Sequence, residues 1–322
     1  MGAQRPEEQS LQTRRHTYNR IRQVFDFAES PLRLRPEGSN PFTKRLRPRK
    51  VRGVDVDKVF TYWYPSEAVQ VASCVDVPLA HRVFYAIAVA TGFDVSTIPL
   101  LSWADLDPVN RVLQQVRPKV GKTVFVYNKP AWLFDLLEAW RVLSGAPPAN
   151  APREVLKSVP IVPHEALAFQ KRRESEGLQA DMRRANLTRA ALFETTRTSH
   201  RMRFHDLRAT FETWARRAGW DQRDIDARTG HASKAMAERY DRGARSLAEL
   251  QEAPFPDLAR AIPEVRAVLE KQASVAHAVA HNRASEGGIF EPASDQNSND
   301  SECLVRRAGL EPARCYPLAP QA

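Results

Sequence analysis

The stretch that decides the fold runs from Arg203 to Tyr240 and reads RFHDLRATFETWARRAGWDQRDIDARTGHASKAMAERY. Its apolar residues Leu207, Phe211 and Trp214 recur every three or four positions, which is the spacing of one face of an α-helix. Gly219 follows them, and glycine is the residue that most often ends a helix. The first half of the stretch is therefore predicted to be a helix with one buried face.

Four polar residues of this stretch form a candidate reactive site when folding brings them together. His205 and Arg208 lie three positions apart, so a helix presents an imidazole and a guanidinium on one face, a pair suited to a phosphate. The turn at Gly230 leads into a second helix with His231 near its N-terminus, where backbone N–H groups bind anions. Tyr240 follows nine residues later, near the end of that helix. Each residue alone is more typical of ordinary packing, so the hypothesis depends on the conjunction.

The rest of the sequence predicts a mainly α-helical body with one small β-hairpin. Two β-favouring runs, Val112 to Val116 and Thr123 to Tyr127, flank the basic segment RPKVGK, which is typical of a hairpin tip. Amphipathic runs bounded by proline, glycine or polar caps predict helices at Ser66 to Ser73, His81 to Thr91, Asp94 to Leu101, Ala131 to Leu143, Glu165 to Ala191 and Pro263 to His281.

Composition narrows the class of protein. The chain has 322 residues and a net charge of +10, which favours a polyanionic partner such as nucleic acid, although many basic proteins bind no anion specifically. Three cysteines without a Cys-x-x-Cys pair predict neither a disulfide framework nor a structural zinc site. The longest apolar run, Val83 to Ala90, is too short to cross a bilayer, and no secretory signal is readable. We therefore expect a cytoplasmic protein without a membrane partner.

The positive charge is concentrated near the N-terminus, where residues 1–50 hold 12 Lys and Arg against 5 Asp and Glu. His16 to Glu29 has the apolar spacing of a helix. Lys44 to Arg52 has six cations and no acid, the composition of an extended linker that lies along a phosphate backbone, or alternatively of a solvated tether between domains. The residues predicted to contact the DNA backbone are Lys44, Arg45, Arg47, Arg49, Lys50, Arg52 and Arg203.

The polar residues of the deciding stretch resemble the motifs of a known family. His205-Asp206-Leu207-Arg208 resembles the His-x-x-Arg box of the tyrosine recombinases, the phage-integrase-like enzymes that cut and rejoin DNA. Gly230-His231 resembles their Gly-His, and Tyr240 falls at their nucleophile spacing. The resemblance implies the integrase-like catalytic fold and makes double-stranded DNA the expected partner.

The resemblance extends upstream and covers residues 54–250. The hairpin with Lys119 is similar to the family's catalytic-lysine hairpin. The family's first box is matched by Ala90, Thr91, Gly92, Leu101, Trp103, Asp105 and Asp107. We expect residues 1–53 to be a basic remnant of a DNA-gripping domain, 54–250 the catalytic domain, 251–281 a helical extension and 282–322 a disordered tail.

The resemblance also implies a role for each site residue. Tyr240 would form a 3′-phosphotyrosyl link, Lys119 would protonate the leaving oxygen, and His205 would assist proton transfer. Arg208 and His231 would clamp the phosphate. This chemistry implies no cofactor and no metal, and recombination would assemble four protomers on DNA.

One position departs from the family pattern. The residue two after Gly92 is the family's first catalytic arginine, and here it is Asp94, with Thr97 where a glutamate usually follows. A carboxylate facing the pocket would repel the phosphate. Alternatively, Asp94 points outward or pairs with Arg208, and the missing charge comes from Arg82, Arg111 or Arg117.

Two alternatives to a DNA-cleaving recombinase follow. The first is a catalytically inactive integrase relative that binds DNA without cutting it, and Asp94 is the residue that separates the two readings. The second is a basic helical protein whose motifs agree by chance. A structure without a shared pocket for Lys119, His205, Arg208 and Tyr240 favours the second alternative.

Overall fold

The computed structural model describes residues 11–49, 60–94, 97–117, 122–163, 174–196, 198–230 and 234–286. The chain divides into two compact units, residues 1–271 and 272–322. The described helices are α1 (Leu11–Glu29), α2 (Pro65–Ser73), α3 (Leu79–Thr91), α4 (Trp132–Leu143), α5 (Arg153–Ser158), α6 (Glu174–Arg184), α7 (Ala190–Phe193), α8 (Asp206–Arg217), α9 (Gln222–Thr229), α10 (Lys234–Glu249), α11 (Leu258–Ala261) and α12 (Pro263–Glu286). No helix among these residues is long and apolar enough to cross a bilayer.

The core is built around α3, whose residues from His81 to Thr91 are all buried. One face of α3 packs against α4 and another against α8. Leu207 and Trp214 of α8 are fully buried, as the helical spacing predicted, and they join this core. Because α3 is enclosed on several sides, its sequence is apolar almost throughout rather than amphipathic.

The small sheet has the order β1 (Leu106–Asp107), β2 (Val112–Arg117) and β3 (Lys122–Val126), with antiparallel pairing throughout. Leu113 pairs with Val126, and Arg117 pairs with Lys122 at the tip. The predicted hairpin and the mainly α-helical fold class are thereby confirmed.

The N-terminal segment folds back on its own helix. α1 contains the predicted helix and begins five residues earlier. Tyr18 is buried and donates a hydrogen bond to the carbonyl of Thr43, while Phe25 packs on Phe42 with ring centroids 5.3 Å apart. These contacts hold the basic run against α1.

The basic run is therefore not uniformly extended, and that expectation is corrected. Lys44–Leu46 forms a single 3-10 turn, because Arg15 Nε donates to the Pro48 carbonyl at 2.9 Å and draws the chain back toward α1. The side chains of Lys44, Arg45, Arg47 and Arg49 are exposed, whereas Lys50 and Arg52 lie outside the described residues.

Three other predicted helices differ from the structure. Asp94 to Leu101 contains only a 3-10 turn, Ile98–Leu100, in its described part, because Gly92 has just ended α3 and Pro99 lacks the N–H that a longer helix needs. In Glu165 to Ala191, residues 165–173 are outside the described part, and the chain breaks after α6 at Asn186, where φ is 55°. α12 continues to Glu286, so residues 282–286 of the predicted tail are helical.

Candidate active site

Arg208 stands at the centre of the site and is the third residue of α8. The first residue of that helix, Asp206, is fully buried and accepts hydrogen bonds from the backbone and guanidinium of Arg203. A carboxylate in the first turn also stabilises the positive end of the helix dipole. Arg203 is thus used locally, with its guanidinium 3.2 Å from Asp206, and it remains partly exposed.

The turn that follows α3 supplies a partner for Arg208. Gly92 ends α3 in the left-handed conformation, with φ of 69°, and its carbonyl accepts a hydrogen bond from Arg208 Nη1 at 3.0 Å. A Cβ on Gly92 would lie 2.3 Å from the ring of Phe211. Glycine is therefore required here both by the backbone angle and by the close approach of α8.

The side chain of Asp94 points toward Arg208. Its Oδ1 lies 3.3 Å from Arg208 Nη1 and forms an ion pair with it. The Thr97 backbone N–H donates to the Asp94 carbonyl at 2.8 Å, and its hydroxyl donates to the same oxygen at 2.5 Å, so a tight turn fixes the segment. Of the arrangements open from the sequence, pairing with Arg208 is confirmed, and an outward-pointing carboxylate is wrong.

Glu212 is a site residue that the sequence analysis missed. Its Oε1 lies 3.7 Å from Arg208 Nε, and both side chains are buried. The signal was present in the sequence, because residues four apart on a helix are neighbours and an Arg–Glu pair at that spacing is attractive. Arg208 therefore has two carboxylates beside it, one from α8 itself and one from the turn after α3.

Two of the three arginines considered as replacements for the missing cation are engaged elsewhere. Arg82 forms a two-pronged ion pair with Glu264, at 2.6 and 2.8 Å. Arg111 lies 2.6 Å from Asp135. The side chain of Arg117 is outside the described part of the structure.

His205 immediately precedes α8 and occupies its N-cap position, so it lies beside the first turn rather than within the helix. Its side chain is exposed at one edge, yet the protein atoms around it displace water and lower the pKa of the imidazole. Asp206 and Asp94 oppose this shift, and Arg208 reinforces it. His205, Asp94 and Arg208 thus form one electrostatic cluster, with the histidine favouring its neutral form.

Tyr240 lies on α10, which packs against α8, the helix that carries Arg208. It is in the middle of α10, and the expectation that it lies near the helix end is corrected because α10 continues to Glu249. The phenol side chain is only 6% exposed and stacks on Phe60, with ring centroids 5.9 Å apart. The two helices approach closely at Gly243, where a Cβ would lie 3.0 Å from the side chain of Thr213.

With this geometry in place, comparison with known families gives one decisive result. Residues 65–246 match the phage integrase family, which is more than half of the chain. The chain belongs to this family. The match includes Asp94, Arg208 and Tyr240, so the unusual acidic residue lies inside a genuine integrase domain.

Several solved integrase-type structures are similar to this family member. XerA recombinase is 17% identical with a TM-score of 0.44, covering 78% of this chain and 87% of that chain. A lambda integrase dimer bound to a COC′ core site is 16% identical with a TM-score of 0.47, covering 74% and 82%. The catalytic domain of bacteriophage HP1 integrase is 20% identical with a TM-score of 0.39, covering 59% and 92%. Comparison with curated proteins gives no match.

Two of the expected integrase site residues fall outside the described residues. Lys119 lies between β2 and β3, and His231 lies between α9 and α10. The elements that flank them along the chain are described. The hairpin strands pair up to Arg117 and Lys122, and Gly230, with φ of 64°, caps the end of α9. Arg228 of α9 donates to the Lys129 carbonyl at 2.8 Å, which joins the helix before His231 to the chain just after the hairpin.

Arg228 is itself buried, and this desolvation lowers its pKa to about 10. It lies over Trp220, with 4.6 Å between the guanidinium carbon and the ring centroid. Among the described residues, no group of three or more His, Cys, Asp or Glu side chains is arranged to hold a metal ion. The described part of the site is a cluster of arginine and histidine side chains with carboxylates beside it.

Proposed function

We propose that this integrase-family chain is a DNA-cleaving and rejoining enzyme of site-specific recombination, acting through a 3′-phosphotyrosyl intermediate at Tyr240. One observation carries the proposal. Buried Arg208 in the first turn of α8 lies in one electrostatic cluster with His205, the N-cap residue of that helix, and the helix with Tyr240 packs against α8. A phosphate-binding cation, a proton-transfer group and a nucleophile thus come from α8, its N-cap and the adjoining helix α10.

In the proposed reaction, the Tyr240 oxygen attacks phosphorus while the bond from phosphorus to the 5′-oxygen breaks. The charge that develops on the non-bridging oxygens is stabilised by Arg208 and His231. Lys119 gives a proton to the leaving 5′-oxygen, and His205 assists proton transfer by taking up the proton that the Tyr240 phenol loses. The lowered pKa of His205 suits this role, since a neutral imidazole accepts a proton. The covalent link conserves the bond energy, so the scheme uses no cofactor and no metal.

The proposed partner is double-stranded DNA, held by the exposed cations Lys44, Arg45, Arg47 and Arg49 and by the neighbouring Lys50 and Arg52. Such contacts neutralise phosphates and predict a steep loss of affinity with salt. Recombination between two duplexes uses four active protomers, so we propose a homotetramer on DNA. The proposed location is the cytoplasm, without a membrane partner.

The Asp94–Arg208 ion pair keeps a second function testable, namely DNA binding without cleavage. At an effective dielectric constant of about 20, two unit charges about 4 Å apart interact by roughly 4 kcal/mol. A carboxylate 3.3 Å from Arg208 therefore competes with a phosphate for the same guanidinium. Cleavage requires that the phosphate displace or outweigh this carboxylate.

The test begins with selection of duplexes that the full chain binds from a random-sequence pool. The selected sequence is then made as a nicked duplex, from which a cleaved strand end diffuses away and leaves a covalent adduct that is visible on a denaturing gel. We expect an adduct that Tyr240→Phe abolishes. Tyr64→Phe is the matched control, since it removes the hydroxyl of a partly exposed tyrosine at the start of α2, outside the site, and leaves the adduct unchanged.

The two functions give different outcomes in this assay. Selective DNA binding without an adduct, in both the natural chain and Asp94→Arg, supports the non-cleaving function. An adduct that persists in Tyr240→Phe contradicts the assignment of the nucleophile.

A further inference from the structure

The outward face of the β-hairpin carries a small aromatic surface. Strand alternation buries Leu113, Val124 and Val126 against the core. On the opposite side, Val116, Phe125 and Tyr127 are 60%, 45% and 61% exposed. We call these three residues the hairpin platform.

The two aromatic rings of the platform are arranged together. Their centroids lie 6.4 Å apart, with an angle of 27° between the ring planes. Among the described residues, each has the other as its aromatic neighbour and no cation lies over either ring. A solvent-facing strand position does not require an aromatic residue, as Thr123 on the same face demonstrates. The fold therefore leaves two ring faces open on one side of the sheet.

The surrounding charge identifies the class of occupant. Between Asp107 and Asp135 the sequence holds five cations, Arg111, Arg117, Lys119, Lys122 and Lys129, and no Asp or Glu. Arg111 pairs with Asp135, and the ammonium of Lys129 lies 5.1 Å from the centre of the Trp220 ring. The remaining cations of this stretch are Arg117, Lys119 and Lys122, whose side chains lie outside the described part of the structure. An apolar partner alone would not select such a charge, whereas a polyanion is complementary to it.

We propose that Phe125 and Tyr127 bind unpaired DNA bases by stacking, on a stretch of chain whose sequence is basic. Exposed aromatic side chains on a basic sheet bind single strands because every base has a π-face, which a continuous duplex hides inside its own stack. The inference rests on the proposed function, in which strand cleavage releases bases from their duplex next to the Lys119 hairpin. It assigns the hairpin a second role, in holding a separated strand.

The experiment measures fluorescence anisotropy of the full chain with two labelled probes of about 20 nucleotides or base pairs, an oligothymidylate and a mixed-sequence duplex. The test variant is the double substitution Phe125→Leu with Tyr127→Leu, which keeps the apolar surface and removes both π-faces. Phe27→Leu is the control, because Phe27 is an exposed aromatic residue of α1 outside the hairpin.

We expect the double variant to bind oligothymidylate about ten- to a hundredfold more weakly, the range for loss of base stacking. Its affinity for the duplex should change by less than about twofold, which is the precision of such titrations on the affinity scale. Both variants should melt at the temperature of the natural chain. A 5-iodouracil base in the oligothymidylate should crosslink to Tyr127 or Phe125.

Three results overturn the inference. If the double variant binds oligothymidylate and the duplex as tightly as the natural chain does, the hairpin platform does not bind bases, and the proposed function is unaffected. If the double variant loses the same affinity for both probes, the hairpin platform contacts the DNA backbone in general and not unpaired bases. A change of oligomeric state with Phe125→Thr and Tyr127→Thr, but not with the leucine substitutions, assigns it to a protein partner. Failure of the natural chain to bind either probe instead contradicts the proposed function.

Discussion

Arg82 and Arg208 are buried to the same degree, each with 2% of its surface exposed, but their surroundings differ. Arg82 has carboxylate oxygens of Glu264 at 2.6 and 2.8 Å and donates to the Val77 carbonyl at 2.9 Å. Arg208 has carboxylates at 3.3 and 3.7 Å and the Gly92 carbonyl at 3.0 Å. Charge-assisted hydrogen bonds are optimal at about 2.7–2.9 Å.

The two buried arginines are therefore held by different kinds of contact. The Arg82 fork is closed on one carboxylate and ties α3 to the start of α12. The described carboxylates beside Arg208 come from two directions, one on α8 itself and one on the turn after α3, and both lie farther from it. Burial by itself does not distinguish the two arginines, whereas the geometry of these contacts does.

The largest expected effect is on cleavage and comes from Arg208→Lys. The lysine keeps a positive charge and loses the guanidinium fork, so we expect adduct formation to slow by about a hundred- to a thousandfold, corresponding to about 3–4 kcal/mol. Single-turnover adduct formation on the nicked duplex measures this. Arg82→Lys is the matched control, and equal rates for the two variants would erase the distinction between the arginines.

The next largest effect is on stability and comes from Arg82→Met. It leaves Glu264 without its partner, and because Glu264 is partly exposed we expect a loss of about 2 kcal/mol rather than the larger value of a fully buried pair. Urea unfolding measures the change. DNA affinity, compared at a temperature where the variant is folded, should match the natural chain, and a selective loss of DNA binding would place Arg82 in the site.

A smaller effect is expected from Asp94→Asn. It removes the negative charge beside Arg208 while keeping the side-chain size, so phosphate binding at Arg208 should improve by about tenfold, or about 1.4 kcal/mol, since partial exposure of Asp94 screens the repulsion. Affinity for the selected duplex and the rate of adduct formation both report this. Glu154→Gln, an exposed change on α5, controls for net charge alone. Weaker binding in Asp94→Asn means that Asp94 organises the pocket instead of blocking it.

The smallest effect is the titration of His205. Desolvation lowers its folded-state pKa, so the unfolded chain takes up the proton first as pH falls from about 6.5, and His205 reduces stability on the acid side of that value. Because the charge of Asp94 opposes this shift, Asp94→Asn should lower the pKa of His205 further. Proton NMR of the imidazole measures both, and an unchanged pKa in Asp94→Asn would show that the two groups do not face each other.

Local pattern predicted much of the fold. The helix through Leu207 and Trp214, the helix that ends before Gly92 and the hairpin all follow from spacing and turn chemistry, whereas the register of the hairpin strands was not predicted. The predicted helix after Asp94 is wrong because Gly92 has just ended α3, Thr97 closes a turn onto the Asp94 carbonyl, and Pro99 lacks the N–H that a longer helix needs. The predicted extended linker is partly wrong because Arg15, distant in sequence, draws it back toward α1.

The sequence predicted which residues form the site, but it did not predict the charged groups that lie beside them. The motif residues His205, Arg208 and Tyr240 are recognisable from spacing. Their acidic neighbours are not, since Asp94 reaches Arg208 across 114 sequence positions. Tyr240 was recognisable as a candidate nucleophile, but its burial against Phe60 depends on a contact between distant segments.

By itself the sequence determined the mainly helical class, because periodicity and short spacings act within a turn or two of the chain, and its motifs resembled the family that the match over residues 65–246 then showed. Only the tertiary structure decided the direction of Asp94, the commitment of Arg82 to Glu264 and the open ring faces of the hairpin. These depend on which side chains meet in space, and a Coulomb interaction or a stacked ring is set by distance between atoms rather than by distance along the chain.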